Sequence, residues 1–214
     1  MSVLFGPSET PEDLVQATLG AYRSSAQEYL RFSNSYANFP ELQPLVAEFA
    51  QQGTPGPILD VGAGCCRDAK AMERLGRNVI ALDACGDLLM LGRDSTPTTV
   101  CRLQADMRRL PLHDGSIGGL LCVSALIHVP DGEIPLVLDE FARVLAPRGL
   151  LLATVPADPN PGWTMRGAIR MPRWFNSISA HNLQAELARR GFTRVNTIPS
   201  GENWCAVSAQ ASRG

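Results

Sequence analysis

A chain of 214 residues with 45% hydrophobic and 19% charged content is sized for one globular domain with a full core. Its net charge of −2 supplies no field for gathering nucleic acid or anionic membrane, so neither is expected as a partner. No basic stretch runs into an apolar one near the start, and the longest nearly apolar stretch, Ile117 to Val129, is too short to span a bilayer, so no signal peptide and a cytoplasmic location are expected.

The chain opens with helical signals. Over 10–32, Thr10 suits an N-cap, Pro11 the first helical position, and acids fill the first turn. Leu14, Thr18, Tyr22, Ala26 and Tyr29 form a stripe at helical spacing. A polar stretch with Tyr36 leads to a second helix over 41–52, and Gly53-Thr-Pro-Gly-Pro57 is a linker. The reading is therefore a helical cap over 1–53 and a core over 54–211 within one domain.

Strands and helices alternate from that point. Strands are expected at 57–61, 78–83, 100–105, 119–126 and 149–155, with helices over 67–75, after Gly86, and over 133–146. The run at 119–126 is the most continuously apolar, as a central strand covered on both faces requires. After an irregular stretch over 156–178 comes a helix over 180–190, and strands at 193–199 and 203–211 should pair antiparallel. The sum is an α/β, Rossmann-like, doubly wound sheet of seven strands, mostly parallel, with an antiparallel C-terminal hairpin.

The stretch Ile58-Leu-Asp-Val-Gly-Ala-Gly-Cys-Cys-Arg-Asp68 places an acid and a glycine turn between a strand and a helix. Such a turn brings backbone N–H groups and a carboxylate to the rim where α/β sheets hold ligands. Asp60, Asp83 and Asp106 close three successive strands and stand 23 residues apart, one βα period. Right-handed crossovers put those strand ends on one edge of the sheet, so the three acids face one crevice. Asp83 follows Gly62 by 21 residues, the separation at which an acid reaches ribose hydroxyls. A nucleoside site follows. The dinucleotide fingerprint is incomplete, because Arg67 stands where a third glycine belongs. An acid at position 60 suits a ligand with a cationic amine or sulfonium.

On these residues the chain resembles the class I S-adenosylmethionine-dependent methyltransferases of small-molecule type. Asp60-Val-Gly-Ala-Gly64 resembles the family's first motif and Ala81-Leu-Asp83 its second acidic strand end. Ala105 to Ser116 and Glu140 to Gly149 are similar to its later motifs, and only Cys66 and Ile117-Gly118 depart from them. The resemblance implies S-adenosyl-L-methionine as cofactor. Gly62, Ala63 and Gly64 would run under its methionine part with Asp60 near the amino group. Asp83 would take both ribose hydroxyls beside Ala84, Asp106 and Met107 would meet the adenine, and Ser124 to His128 would floor the meeting point with the acceptor.

His128 is the candidate general base, since an imidazole titrates near neutrality. The 156–178 stretch reads as a lid, where Trp163, Arg166, Arg170 and Trp174 offer a wall for a flat or anionic acceptor. Tyr29 and Tyr36 are expected to close the crevice from the cap, and Arg108-Arg109 reads as a solvated turn. Six cysteines without C-x-x-C spacing suggest reduced thiols rather than a metal site. The expected activity is methyl transfer to O or N of a small acceptor. A cofactor-binding regulator, a non-methylating enzyme on the same fold and a dehydrogenase stay open beside it.

Overall fold

The computed structural model describes residues 9–95 and 98–212, so part of the expected 1–53 cap, residues 1–8, lies outside the described residues. The cap holds α1 (Pro11–Ser24), α2 (Ala26–Ser33) and α3 (Leu42–Gln51). Thr10 and Asp13 form a reciprocal capping box that starts α1, as the cap signal predicts. The single helix expected over 10–32 is broken. The Ser24 hydroxyl bonds back to the Gly20 carbonyl, Ser25 leaves helical geometry, and the chain restarts at Ala26.

The core runs β1 (Ile58–Val61), α4 (Arg67–Arg74), β2 (Val79–Asp83), α5 (Gly86–Ser95), β3 (Cys101–Gln104), β4 (Ile117–Val123) and α6 (Ile134–Val144). There follow β5 (Leu145–Pro156), β6 (Gly162–Thr164), β7 (Arg173–Phe175), α7 (Ala180–Arg189), β8 (Thr193–Pro199) and β9 (Trp204–Gln210). Seven strands make one sheet in the order β3-β2-β1-β4-β5-β9-β8. The first five are parallel, β9 runs antiparallel to β5, and β8 pairs antiparallel with β9. The strand order reverses between β1 and β4, and a crevice opens there beyond the carboxyl ends of the strands.

One face of the sheet packs against α6 and α7, where Ile134, Val137, Leu138, Phe141 and Val144 form the stripe set by their spacing. The other face packs against α3, α4 and Leu89 of α5. β4 starts and ends earlier than its apolar run suggested, at Ile117 and Val123. Ser124 takes a left-handed φ of 53°, which stops the strand, and Leu126–His128 coil into a 3-10 turn. α6 stops at Val144, and β5 begins at Leu145 before shifting register around the Pro147-Arg-Gly149 turn. The 156–178 stretch is not wholly irregular, since β6 and β7 pair as a small ribbon with Trp163 opposite Trp174.

Candidate active site

The glycine turn after β1 carries the site. Gly62 and Gly64 both take positive φ, 71° and 52°, which L side chains rarely adopt. A Cβ on Gly62 would stand 2.1 Å from the Cβ of Ala125, and one on Gly64 would touch the Tyr29 ring at 3.0 Å. Asp83, at the end of β2, clamps the turn from the side: its carboxylate accepts the N–H groups of Gly64 and of Cys85, each at 2.7 Å. Burial pushes the Asp83 carboxyl above its ordinary range, and those two N–H groups pull it back.

A cavity of about 410 Å³ opens above this turn, a size in the range of small-ligand sites. Gly62, Gly64, Asp83, Ala84, Asp106 and Met107 line one side of it. Ser124, Ala125 and His128 line the floor, and Tyr22 and Tyr29 close it from the cap. Arg166, Ile169, Arg173 and Phe175 cover it from the 156–178 segment.

Several expected residues sit elsewhere. Asp60 and Ala63 do not line the cavity. Asp60 is buried behind the turn and accepts the Ala69 N–H in the first turn of α4, a helix that no N-cap side chain serves. Burial and then the nearby Asp68 hold its carboxyl well above the usual range. Asp106 lies two residues past the end of β3 and binds Arg108 side-on through Nε and Nη2. Arg108 is no solvated turn residue, because it also pairs with Glu12 of α1 and Glu133, joining cap, rim and floor. Tyr36 donates to Asp68 at 2.7 Å, outside the large cavity.

In the cover segment β7 alternates, so Arg173 and Phe175 point inward and Trp174 outward. Trp174 instead meets Trp163 edge to face at 5.9 Å, and Arg170 is exposed. Arg173, Phe175 and Tyr22, which the sequence places in the 156–178 segment and on the cap over the crevice without a contact of their own, also line the cavity. Reading 173–175 as a strand would have put Arg173 and Phe175 on one face. Asn176 anchors the segment: its Nδ2 donates to the carbonyls of Leu126 and Val129, and its Oδ1 accepts the Ile178 N–H.

His128 lies within a chain of hydrogen bonds. Its Nδ1 is 2.7 Å from the Trp174 carbonyl, which can only accept, so Nδ1 carries the proton. Nε2 then accepts from the Tyr22 hydroxyl at 2.9 Å, and that hydroxyl accepts from Arg173 Nη1 at 2.8 Å. Burial pushes the imidazole down to about 4, with Arg173 and Arg166 adding to the effect against the Trp174 bond. His128 is therefore neutral at pH 7, with its basic nitrogen turned to Tyr22.

A parallel sheet of this order, with a glycine turn and acidic strand ends at the switch point, is the class I S-adenosylmethionine-dependent methyltransferase fold. Residues 59–153 match the family described as the methyltransferase domain. A malonyl-[acyl-carrier protein] O-methyltransferase of Yersinia pestis is 30% identical over 144 residues, an alignment covering 67% of this chain and 51% of that protein. The chain thus spans about half the length of the malonyl-carrier methyltransferases it matches. The S-adenosylhomocysteine complex of DhpI superposes with a TM-score of 0.78 at 18% identity, over 95% of this chain and 99% of that one. The 1,6-didemethyltoxoflavin N1-methyltransferase of Burkholderia thailandensis gives a TM-score of 0.74 at 20% identity, over 98% and 93% of the two chains. These structural likenesses are likenesses of fold. Residues 59–153 are thus a methyltransferase domain, on the fold that holds S-adenosylhomocysteine in both of those structures.

Proposed function

We propose that this chain moves the methyl group of S-adenosylmethionine to an O or N atom of a small molecule. The observation that carries the reading is one rim on which Asp83, Asp106 and the positive-φ glycines border a cavity roofed by the cap and the 156–178 segment. The residues fit the cofactor: Gly62 and Gly64 keep bare a turn on which a Cβ would collide with Ala125 or the Tyr29 ring, and Asp83 keeps lone pairs for hydroxyl donors beyond its two N–H partners. Bound there, S-adenosylmethionine supplies a methyl carbon already activated by its sulfonium.

The chain's own residues position, enclose and accept a proton. Asp83 and Asp106 grip the nucleoside end, while Gly62 and Gly64 let the backbone approach. Tyr29, Ile169 and Phe175 exclude water, and Ser124 and Ala125 shape the floor where the acceptor meets the methyl carbon. Where the acceptor carries a proton, Tyr22 and His128 take it: the Tyr22 hydroxyl passes its hydrogen to Nε2 and receives the acceptor's. The 156–178 segment works as a lid on the 54–211 core and 1–53 as its cap, and a concave cavity of this size favours a small acceptor over nucleic acid. Among the described residues no helix is long and apolar enough to cross a membrane, and with its thiols unpaired we place the protein in the cytoplasm.

Incubation with methyl-labelled S-adenosylmethionine and a small-molecule extract tests the reading. Labelled product with stoichiometric S-adenosylhomocysteine supports it. Tight cofactor binding with no transfer to any fraction would make the chain a binding protein instead.

A further inference from the structure

We infer that the acceptor carries an oxyanion, a carboxylate or a phosphonate-type group, held between Arg173 and Arg166 beside the Phe175 ring. The inference rests on the methyltransferase reading and names the chemistry of its acceptor.

Four guanidinium groups line the cavity, and they divide in two. Arg67 is bound side-on by Asp68, at 2.9 and 2.8 Å, and Arg108 is shared among Asp106, Glu12 and Glu133. Those charges are already matched, on the cofactor side. Arg166 and Arg173 have no carboxylate within ion-pair distance among the described residues. Arg173 is only 6% exposed. Its Nη1 donates to the Tyr22 hydroxyl and its Nη2 to the Arg166 carbonyl, both neutral acceptors, and its buried Nε–H meets no acceptor among the described residues. The Arg166 guanidinium makes one long contact, 3.5 Å to the Asn160 carbonyl.

Both cations sit against one ring, with Cζ at 4.7 Å (Arg166) and 5.3 Å (Arg173) from the Phe175 centroid. Aromatic faces soften such a pair without cancelling it. Two like charges, one of them buried without a counter-ion, are an unfavourable arrangement that a bound anion relieves. Arginine rather than lysine fits that task, since its planar fork matches a carboxylate or phosphonate with parallel hydrogen bonds. The acids at the rim cannot serve instead, because Asp106 is held by Arg108 and Asp83 by two backbone N–H groups. The charges of the cavity are segregated, with acids where the sulfonium cofactor lies and unmatched cations where the acceptor lies.

The same arrangement links binding to proton removal. Arg173 and Arg166 both act to keep the partly buried His128 uncharged, so an anion placed between them screens that repulsion and makes Nε2 a better proton acceptor. A neutral acceptor of the same shape leaves the histidine as it is.

The test is calorimetric titration of the full chain saturated with S-adenosylhomocysteine, using hydroxybenzoates and short hydroxyalkanoates, each beside its amide and its phosphonate counterpart. At least one acid should bind about tenfold or more tightly than its amide, the value of one charged hydrogen bond. That preference should vanish in Arg166→Gln and in Arg173→Gln. Arg166 is half-buried and makes little else, so its variant keeps the test sharp should Arg173→Gln fold poorly. The larger of the carboxylate and phosphonate preferences tells which oxyanion the site takes. If no acid outbinds its amide, or the preference survives in Arg166→Gln, the inference is overturned. Failure of wild type to bind S-adenosylhomocysteine would instead remove the methyltransferase reading, and the two failures are read in the same cell.

Discussion

Replacing Gly62 by alanine probes the site at its tightest point. The new Cβ would stand 2.1 Å from the Ala125 Cβ, while the next neighbours are the Ala125 Cα at 3.6 Å and the Met107 Cε at 4.0 Å. The clash is thus almost wholly with one methyl group. Two costs add: overpacking of about 1–3 kcal/mol and about 1–2 kcal/mol for an L residue at left-handed φ. Gly62→Ala should therefore destabilise the chain by roughly 2–5 kcal/mol in urea unfolding. Ala125→Gly removes the clashing atom and leaves the backbone strain, so a double-mutant cycle separates the two. The coupling between the sites should be about 1–3 kcal/mol in favour of the double variant, the overpacking part alone. Titration with S-adenosylhomocysteine on the same four proteins should show weaker binding in Gly62→Ala, partly restored in the double variant. Coupling within about 0.5 kcal/mol of zero, the scatter of independent sites, would refute the seating of the glycine turn against the floor.

Folding keeps His128 neutral by lowering it from its ordinary value of 6.5 to about 4, so unfolded chains bind the extra proton between those values. Its contribution is full above pH 6.5 and is lost as the pH falls toward 4. At roughly 1.4 kcal/mol per pH unit, discounted for partial exposure, wild type should lose about 1–3 kcal/mol more than His128→Gln between pH 7 and 4.5; equal losses would show that the imidazole is not held neutral. Tyr22→Phe strips the hydroxyl that joins Arg173 to His128, and kcat should fall more than cofactor affinity; a change confined to cofactor affinity would remove Tyr22 from the proton path. Asn176→Leu leaves the Val129 carbonyl and the Ile178 N–H without partners, at about 1–3 kcal/mol each, while the Leu126 carbonyl keeps the Val129 N–H. Limited proteolysis should then cut within 156–178 first, and unchanged cleavage would deny Asn176 its anchoring part.

Much of the fold was legible because period and punctuation agreed with it. The strands at β1 and β2, the α6 stripe and the closing hairpin follow from apolar runs, spacing and turns that local physics sets. Misread boundaries had local causes invisible in composition. A Ser24-Ser25 pair cut one helix in two, and Ser124 ended β4 by taking positive φ inside an unbroken apolar run. The rim acids were readable from their 23-residue period, yet period fixes a strand end and not a side chain's partner. Asp60 therefore turned out to hold α4 from behind the turn, while Asp83 faces the cavity. The acceptor side was least legible. Arg170, Arg173 and Trp174 are close neighbours in sequence, and only the pairing of β7 with β6 decides that Arg173 goes in. Arg108 became a hub because carboxylates from α1 and from the turn before α6 converge on it, a long-range fact that two adjacent arginines do not announce.

The most direct test of the account is calorimetric titration of S-adenosylhomocysteine into the wild-type chain and into Asp83→Ala. Saturable one-to-one binding to wild type is expected, weakened in the variant by the loss of charged hydrogen bonds at about 1.5–3 kcal/mol each, or roughly 10- to 150-fold per bond. No binding to the folded wild type, or equal affinity in the two proteins, would contradict the assignment of the β2 rim to the cofactor's ribose.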